Sequence, residues 1–308
     1  MNRTIRFPEL GSPTFSLLGR RIAELATCEL LLLANFPSWF PVLPLYFLSY
    51  FADSPFPPFK PLSPIVRRIR SAISRSFGLR IVAARPFANL RFYCDLDSIY
   101  LVAAEFLRGE TSRYISPTDR VFLDIGAHYG FVSARIASSV SRSSRIIAIE
   151  PHPKNYRVLK SNIELNQLIN VTSFNFAVAN FTGTSRMAAH DNVSARYKLV
   201  DEGSATESLL EVQCYLLQDV FEQLGIDRVD LAKLDIEGQE LRVLQSCFPL
   251  LADRIGKLDI EVHHPDDLAP LQDLLNSNGF VVQVRSIGVI SRSYRILAEK
   301  TTSADGFL

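Results

Sequence analysis

The chain has 308 residues, enough to bury one substantial core with a smaller appendage. Its 33 Lys and Arg nearly balance 32 Asp and Glu, leaving a net charge of +1. No global basic field points to nucleic acid, and no dense Lys/Arg stripe runs through the C-terminal two thirds. The four cysteines, Cys28, Cys94, Cys214 and Cys247, form no C-x-x-C pair and no zinc-finger spacing. They fit reduced, buried thiols of a cytoplasmic domain better than a disulfide framework.

The first 64 residues are rich in Leu, Phe and Pro, and residues 30–52 carry no charge. Such a run is long enough to cross a bilayer of about 30 Å as a helix. Pro37, Pro41 and Pro44 each remove a helical hydrogen bond, so a broken segment lying at the interface is expected instead. Trp39, Tyr46 and Tyr50 would sit near headgroup depth. A helical hairpin packed on the rest of the chain is the alternative. The run starts too far from Met1 for a cleaved signal peptide, and no small-x-small site follows it. Lys60, Arg67, Arg68, Arg70, Arg75 and Arg80 form a basic flank that would face anionic lipid on the cytoplasmic side. Read as a charge run alone, it is a solvated helix face.

Between Leu79 and Tyr114 short alternating runs such as Leu90, Phe92 and Cys94 predict a strand pair, and Ile99–Leu107 predicts a helix. From Arg120 the chain alternates strand and helix. Val121–Ile125 is a near-continuous apolar run, as a parallel strand covered on both faces should be. Apolar spacing at Phe131, Ile136 and Val140 marks the next helix. A strand over Arg145–Glu150, a helix over Lys154–Leu165 and a strand over Val171–Ala177 follow. The polar stretch Asn180–Glu211 reads as a hairpin or lid. Alternation resumes with a strand over Leu231–Asp235, a helix over Gln239–Ser246 and a strand over Lys257–Val262. A helix over Pro265–Asn276 and strands near Phe280–Val284 and Tyr294–Ala298 close the chain. The pattern predicts an α/β fold: a mostly parallel open sheet with helices on both faces. It divides as an apolar segment over 1–64, covering strands and a helix over 65–118, and a catalytic domain over 119–300.

Four segments carry chemistry. The run VFLDIGAHYG ends a strand and opens a helix, with Gly126 and Gly130 four apart. A dinucleotide fingerprint needs Gly two residues after Gly126, where His128 stands, so a pyrophosphate ligand is disfavoured. Asp124 suits a ligand with cationic groups, and Gly126 lets backbone approach that ligand without a Cβ. Glu150 closes the second strand, 24 positions after Gly126, where an acid can accept both hydroxyls of a ribose. In KLDIEGQE, Asp235 and Glu237 leave the fourth strand on one side, placed to hold a metal ion or take a proton from an alcohol. Helix capping by Glu237 and loop bonding by Asp235 are the alternatives. In LDIEVHHP, adjacent histidines face opposite ways; His263 shares the face of Glu261 and is the second candidate base.

Together these segments resemble the FkbM-type methyltransferases. The loop LDIGAHYG is similar to the family's FDIGAN-x-G, with His128 in place of Asn. IEPHP, Asn162-x-x-x-Asn166, KLDIEGQE and Glu261-Val262-His263 match its further motifs. The resemblance covers roughly Phe87 to Ala298. It implies a Rossmann-like methyltransferase fold that uses S-adenosylmethionine and methylates a hydroxyl of a sugar, glycan or related small molecule. The cofactor set it implies is Asp124, Gly126, Ala127, His128, Gly130, Glu150, Phe176 and Ala177. The catalytic set is Asp235, His263 and Glu237, with Asp235 also the candidate ligand of a divalent metal. One departure stands out: where the family has Thr-Leu-Asp before the fourth strand, this chain reads Tyr215-Leu216-Leu217-Gln218-Asp219. Two rival readings are a methyltransferase acting on RNA or protein, and a membrane-associated S-adenosylmethionine-binding module without catalysis.

Overall fold

The computed structural model describes residues 78–84, 89–95, 98–99, 101–102, 105, 110–189, 197–200, 209–287 and 294–301, with single helical positions at 72 and 76. The apolar run 30–52 lies outside the described residues. Among those described, no helix is long and apolar enough to cross a membrane.

The core is a seven-stranded sheet. Its strands are β3 (Val121–Ile125), β4 (Arg145–Ile149), β5 (Val171–Phe174), β10 (Val229–Leu234), β11 (Ile255–Val262), β12 (Phe280–Ser286) and β13 (Tyr294–Lys300), in the order β12-β13-β11-β10-β3-β4-β5. All neighbours pair in parallel except β13, which is antiparallel to both β11 and β12. From β3 the chain winds outward through β4 to β5, then returns to β10 on the other side. The β3–β10 boundary is therefore the switch point, where open α/β sheets bind ligands beyond the carboxyl ends of their strands.

Alternation along the strands gives the sheet two different faces. On one, Leu123, Ile125, Ile147, Ile149, Ala232, Leu234, Leu258 and Ile260 form a single apolar cluster. Packed on it are α4 (Leu217–Gln223), α5 (Glu240–Leu251) and α6 (Leu268–Ser277), through residues such as Phe221, Phe248 and Leu275. Full burial of each such side chain stabilises by roughly 1.5–3 kcal/mol. On the other face Phe122, Ile146 and Ala148 meet Ile136 of α2 (Phe131–Ser139) and Leu159 of α3 (Pro153–Leu165). Towards β10, β11 and β13 that second face becomes ionic. Lys233 stands in register between Asp124 and Asp259. Arg295 Nε donates to Asp259 Oδ1 at 2.5 Å, and its Nη2 to the other carboxylate oxygen and to Thr111 of α1 (Glu110–Arg113). Lys257 Nζ reaches Tyr114 O, Ser116 Oγ and Asp119 Oδ2 within 2.9 Å. The segment preceding β3 is thus fastened to the sheet by charge.

A hairpin of β1 (Arg80–Ala83) and β2 (Arg91–Cys94) lies over α3. Two asparagines one helical turn apart hold it. Asn162 accepts the Tyr93 N–H (2.6 Å) and donates to Tyr93 O and Tyr129 O. Asn166 accepts the Arg91 N–H and donates to Arg91 O. The Asn-x-x-x-Asn spacing thus supplies side-chain amides that pair with the edge of β2 as a further strand would. Within the expected helix after the hairpin, Ile99, Leu101, Val102 and Glu105 are helical, and Asp95 takes the Ser98 N–H in the manner of an N-cap.

The strand expected over Val171–Ala177 is two strands. Asn175 turns its amide onto Glu150 O and Pro151 O at 2.8 and 2.9 Å, which ends the β5 ladder at Phe174. Beyond it β6 (Ala177–Ala179) joins β7 (Gly183–Ala189), β8 (Tyr197–Val200) and β9 (Leu209–Leu216) in a second sheet of order β6-β9-β7-β8. The polar stretch is therefore strand-rich, and α4 follows it directly. At the start of α4, Thr182 Oγ accepts the Leu216 N–H and donates to Asp219. A threonine distant in sequence thus ties the residue before α4 to Asp219 in its first turn. Helix α5 continues past Pro249 to Leu251, because Phe248 and Leu251 are buried.

The clamp is testable. Asn162→Ala leaves the buried Tyr129 carbonyl and both Tyr93 backbone groups without this partner and should cost at least about 1–3 kcal/mol. Urea unfolding measures it; an unchanged midpoint would show that the hairpin is held by apolar contact alone.

Candidate active site

Two loops meet at the switch point. The Asp235 N–H, just after β10, donates to Ile125 O at the end of β3 (3.1 Å). Gly126 follows with φ +82°, and a Cβ there would stand 1.8 Å from the Asp235 carbonyl oxygen. The missing Cβ makes room for the neighbouring loop's backbone. The Gly126 and Ala127 N–H groups both donate to Ile149 O (3.0 Å each), tying the same loop to the end of β4. His128 has φ +51° and stacks on Tyr129 with ring centroids 4.0 Å apart. Histidine shares with asparagine a tolerance of the left-handed region, so it can replace the family's Asn. Gly130, at φ +84°, opens α2 against Leu159.

The two cofactor carboxylates differ in setting. Asp124 is fully buried: Ser133 Oγ donates to its Oδ2 at 2.6 Å, and Lys233 Nζ is 3.9 Å from its Oδ1. That Oδ1 has no hydrogen-bond partner among the described residues. Burial pushes its pKa up, against the pull of Lys233 and Ser133. Glu150 takes the His128 N–H on Oε2 (2.8 Å) and the His152 N–H on Oε1 (2.9 Å), with Asn155 Nδ2 at 3.4 Å. Burial raises its pKa to about 7 although these donors oppose it. Phe176 and Ala177 lie just past the Asn175 turn. Phe176 packs edge-on to Tyr215 at 4.9 Å, and Ala177 is buried at the start of β6.

The catalytic candidates converge. His263 Nε2 is 3.6 Å from Asp235 Oδ1 and 3.7 Å from Glu237 Oε2. Glu237 sits at φ +55°, an uncommon conformation for a side chain without special tolerance of it. On the other side His263 Nδ1 is 2.9 Å from Glu240 Oε1, which also accepts the Ile236 and Gly238 N–H groups. Glu240 is buried at the first turn of α5, so one carboxylate fixes both the loop and the ring. Lys233 Nζ donates to Asp235 Oδ2 at 2.9 Å. Burial works against ionisation of Asp235, but Lys233 and His263 outweigh it and hold its pKa below the usual carboxylate value. Burial likewise disfavours the imidazolium, yet Glu240 and Asp235 raise the His263 pKa to about 10. The ring of His264 lies against Gly238, where a Cβ would meet its Nε2 at 2.3 Å. Both histidines thus border the 235–238 loop, although neighbouring strand positions were expected to part them. Lys233, Glu240 and Ser133 are the contributors not foreseen; the acid at the helix start of KLDIEGQE was the available sign for Glu240.

This sheet order, with its antiparallel β13 and its acidic strand ends, defines a Rossmann-like methyltransferase. The family described as Methyltransferase FkbM domain matches residues 124–282, more than half of the chain, and the chain belongs to that family. Similar curated proteins include AMB antimetabolite synthetase AmbE of Pseudomonas aeruginosa, 28% identical over an alignment 221 residues long that covers 59% of this chain and 10% of that protein. Methyltransferase sdnD of Sordaria araneosa is 25% identical over 53% of this chain and 74% of its own length. Methyltransferase 1 of Beauveria bassiana is 26% identical over 54% and 75%. The match therefore spans a tenth of AmbE and about three quarters of each fungal protein. Among solved structures, Methyltransferase FkbM from Methylobacillus flagellatus is 17% identical, with a TM-score of 0.44 over 77% of this chain and 60% of that one.

The loop contact predicts that Gly126→Ala destabilises the protein by at least the roughly 1–3 kcal/mol typical of overpacking, since backbone rather than a flexible side chain must move. Thermal and urea unfolding read this without any ligand. A wild-type midpoint would show that the two loops slide apart freely.

Proposed function

We propose that the chain transfers a methyl group from S-adenosylmethionine to a hydroxyl oxygen of a small molecule, sugar or glycan. The observation that carries this reading is the meeting of Asp235, Glu237 and His263 beside the β3–α2 loop at the switch point. The residues present fit the cofactor: Asp124 keeps a buried oxygen that accepts no hydrogen bond among the described residues, and Glu150 closes β4 with its carboxylate oriented by backbone donors. Glu150 would accept the ribose hydroxyls, and the 126–130 loop with Phe176 and Ala177 would flank the nucleoside. Asp124, buried beneath that loop, would favour the cationic end through its field rather than by contact. When bound, the cofactor supplies a methyl carbon on a positively charged sulfur, and the C–S electron pair leaves on sulfur as the new C–O bond forms.

The chain's own residues position the acceptor and receive its proton. Asp235, ionised beside Lys233, is the first acceptor for that proton, which departs as the oxygen's lone pair enters the new bond. His263, holding its own proton near neutral pH, orients the carboxylates instead. Positioning can supply roughly 7–11 kcal/mol of the barrier, and proton removal a further 10²–10⁴-fold. The balanced overall charge favours a small acceptor over RNA. A product assay with labelled cofactor across sugars, lipid-linked glycans and RNA tests the class; methylation of RNA alone would overturn the choice.

Asp235→Asn keeps the shape and should lower turnover by about a hundredfold while S-adenosylmethionine affinity changes little. An unaltered rate would return Asp235 to a structural role. For Glu150, whose pKa is raised to about 7, the ionised form is the better acceptor of hydroxyl protons. Cofactor affinity should therefore rise as pH increases through 7, and Glu150→Gln should flatten that dependence. Calorimetry from pH 5.5 to 8.5 measures it, and the same slope in both proteins would remove Glu150 from the site.

The charge-free run 30–52 and its basic flank support a further element, an anchor to the cytoplasmic face of a membrane. The full chain should then pellet with membranes through a salt wash, and a chain starting at Ser63 should stay soluble and bind cofactor. A soluble full chain with an aggregating truncation would make the segment core or oligomer interface.

A further inference from the structure

The loop after β10 and the end of β11 bring together donor atoms of mixed type. One donor atom from each of Asp235, Glu237 and His263 lies within 4.8 Å of the other two, and His263 Nε2 is 3.6 Å from Asp235 Oδ1 and 3.7 Å from Glu237 Oε2. Ligands about 2.0–2.2 Å from one ion stand roughly 3–4 Å apart at open angles, so the histidine needs little movement to share an ion with either carboxylate. We propose that Asp235, Glu237 and His263 hold a divalent first-row cation such as Mn²⁺, and that the cation takes the hydroxyl oxygen of the methyl acceptor. The second half of this proposal rests on the methyltransferase reading above; the cation site itself does not.

Three features outside the ligand atoms favour an ion there. First, the ring is set as a ligand's ring is set. Glu240 Oε1 already accepts two backbone N–H groups, so it faces His263 Nδ1 as an acceptor and assigns the ring proton to Nδ1. Nε2 thereby faces the two carboxylates, where a bound cation would displace its proton, and a buried carboxylate behind the ring is the usual outer partner of a metal-binding histidine. Second, Lys233 engages Asp235 through Oδ2 and leaves Oδ1 facing the histidine. Third, the side chains of Asp235, Glu237 and His263 retain 28%, 26% and 19% exposure. A three-residue site open on one side leaves coordination positions for an incoming oxygen, as catalytic sites do and structural ones do not. One nitrogen with two carboxylates suits Mn²⁺ better than Ca²⁺ or Mg²⁺, which favour all-oxygen surroundings. A cation held there would make the acceptor's hydroxyl more acidic, so that a weakly basic carboxylate suffices to take its proton.

The test uses the full chain, stripped with a chelator and titrated with Mn²⁺ alone, with free Mn²⁺ followed by electron paramagnetic resonance. One Mn²⁺ should bind per chain. His263→Ala and Glu237→Gln should each weaken binding tenfold or more, and Glu240→Gln by about 10–100-fold through the ring it orients. Melting curves identify which variants are folded, and Glu237→Gln, on a partly exposed loop, is the variant expected to fold as wild type. No uptake by the wild type, or equal uptake by folded His263→Ala and Glu237→Gln, would overturn the site. S-adenosylmethionine titrated into the metal-free protein reads the other claim separately. Cofactor binding without Mn²⁺ uptake would sink the cation and leave methyl transfer standing, and the reverse result would sink the cofactor reading and leave the cation site supported.

Discussion

The Asp235 carbonyl occupies the space in which a side chain on Gly126 would begin, and the Asp235 N–H is held by Ile125 one residue earlier. Through this backbone contact the ends of β3 and β10 become one rigid unit. The consequences run in both directions along the sheet. On the β4 side, the same loop hangs on Ile149 O and offers the His128 N–H to Glu150. On the β11 side, the loop beginning at Asp235 turns through Glu237 and Gly238 and is caught by Glu240, which also holds His263. A displacement at Gly126 would therefore shift Glu150 and the Asp235–Glu237–His263 cluster together, as the proposed in-line transfer would need.

Charge organises the layer beneath. Lys233 lies between Asp124 and Asp235, and Arg295 and Lys257 fasten the segment before β3 onto β11. Buried ion pairs contribute little net stability, because desolvation offsets most of the attraction; removing one partner is what costs about 3–5 kcal/mol. Their value here is specificity of placement. An apolar contact would tolerate sliding of the covering segment over the sheet, whereas a bidentate Arg295–Asp259 pair with Thr111 allows one register.

Much of the fold was legible because parallel strands buried on both faces announce themselves as apolar runs. Val121–Ile125 is found with the bounds its residues suggest. The turn at Asn175 was not legible, since it depends on carbonyls of Glu150 and Pro151 that only the folded chain brings near. The contact of Thr182 with the start of α4 was hidden for the same reason: a partner more than thirty residues away leaves no local pattern. At the site, spacing found Asp235, Glu237 and His263, which the structure brings together. At Gly126 the close approach to the Asp235 carbonyl was not legible, because a neighbour in space leaves no local pattern. Spacing also overlooked Glu240, whose three partners are two backbone groups of one loop and a ring just past the end of β11.

A crystal structure grown with S-adenosylhomocysteine tests the central claim most directly. The account predicts ligand density across the β3–β10 boundary, with ribose hydroxyls on Glu150 and the sulfur facing the Asp235–Glu237–His263 cluster. Density at another edge of the sheet, or a sulfur directed away from Asp235, would contradict it.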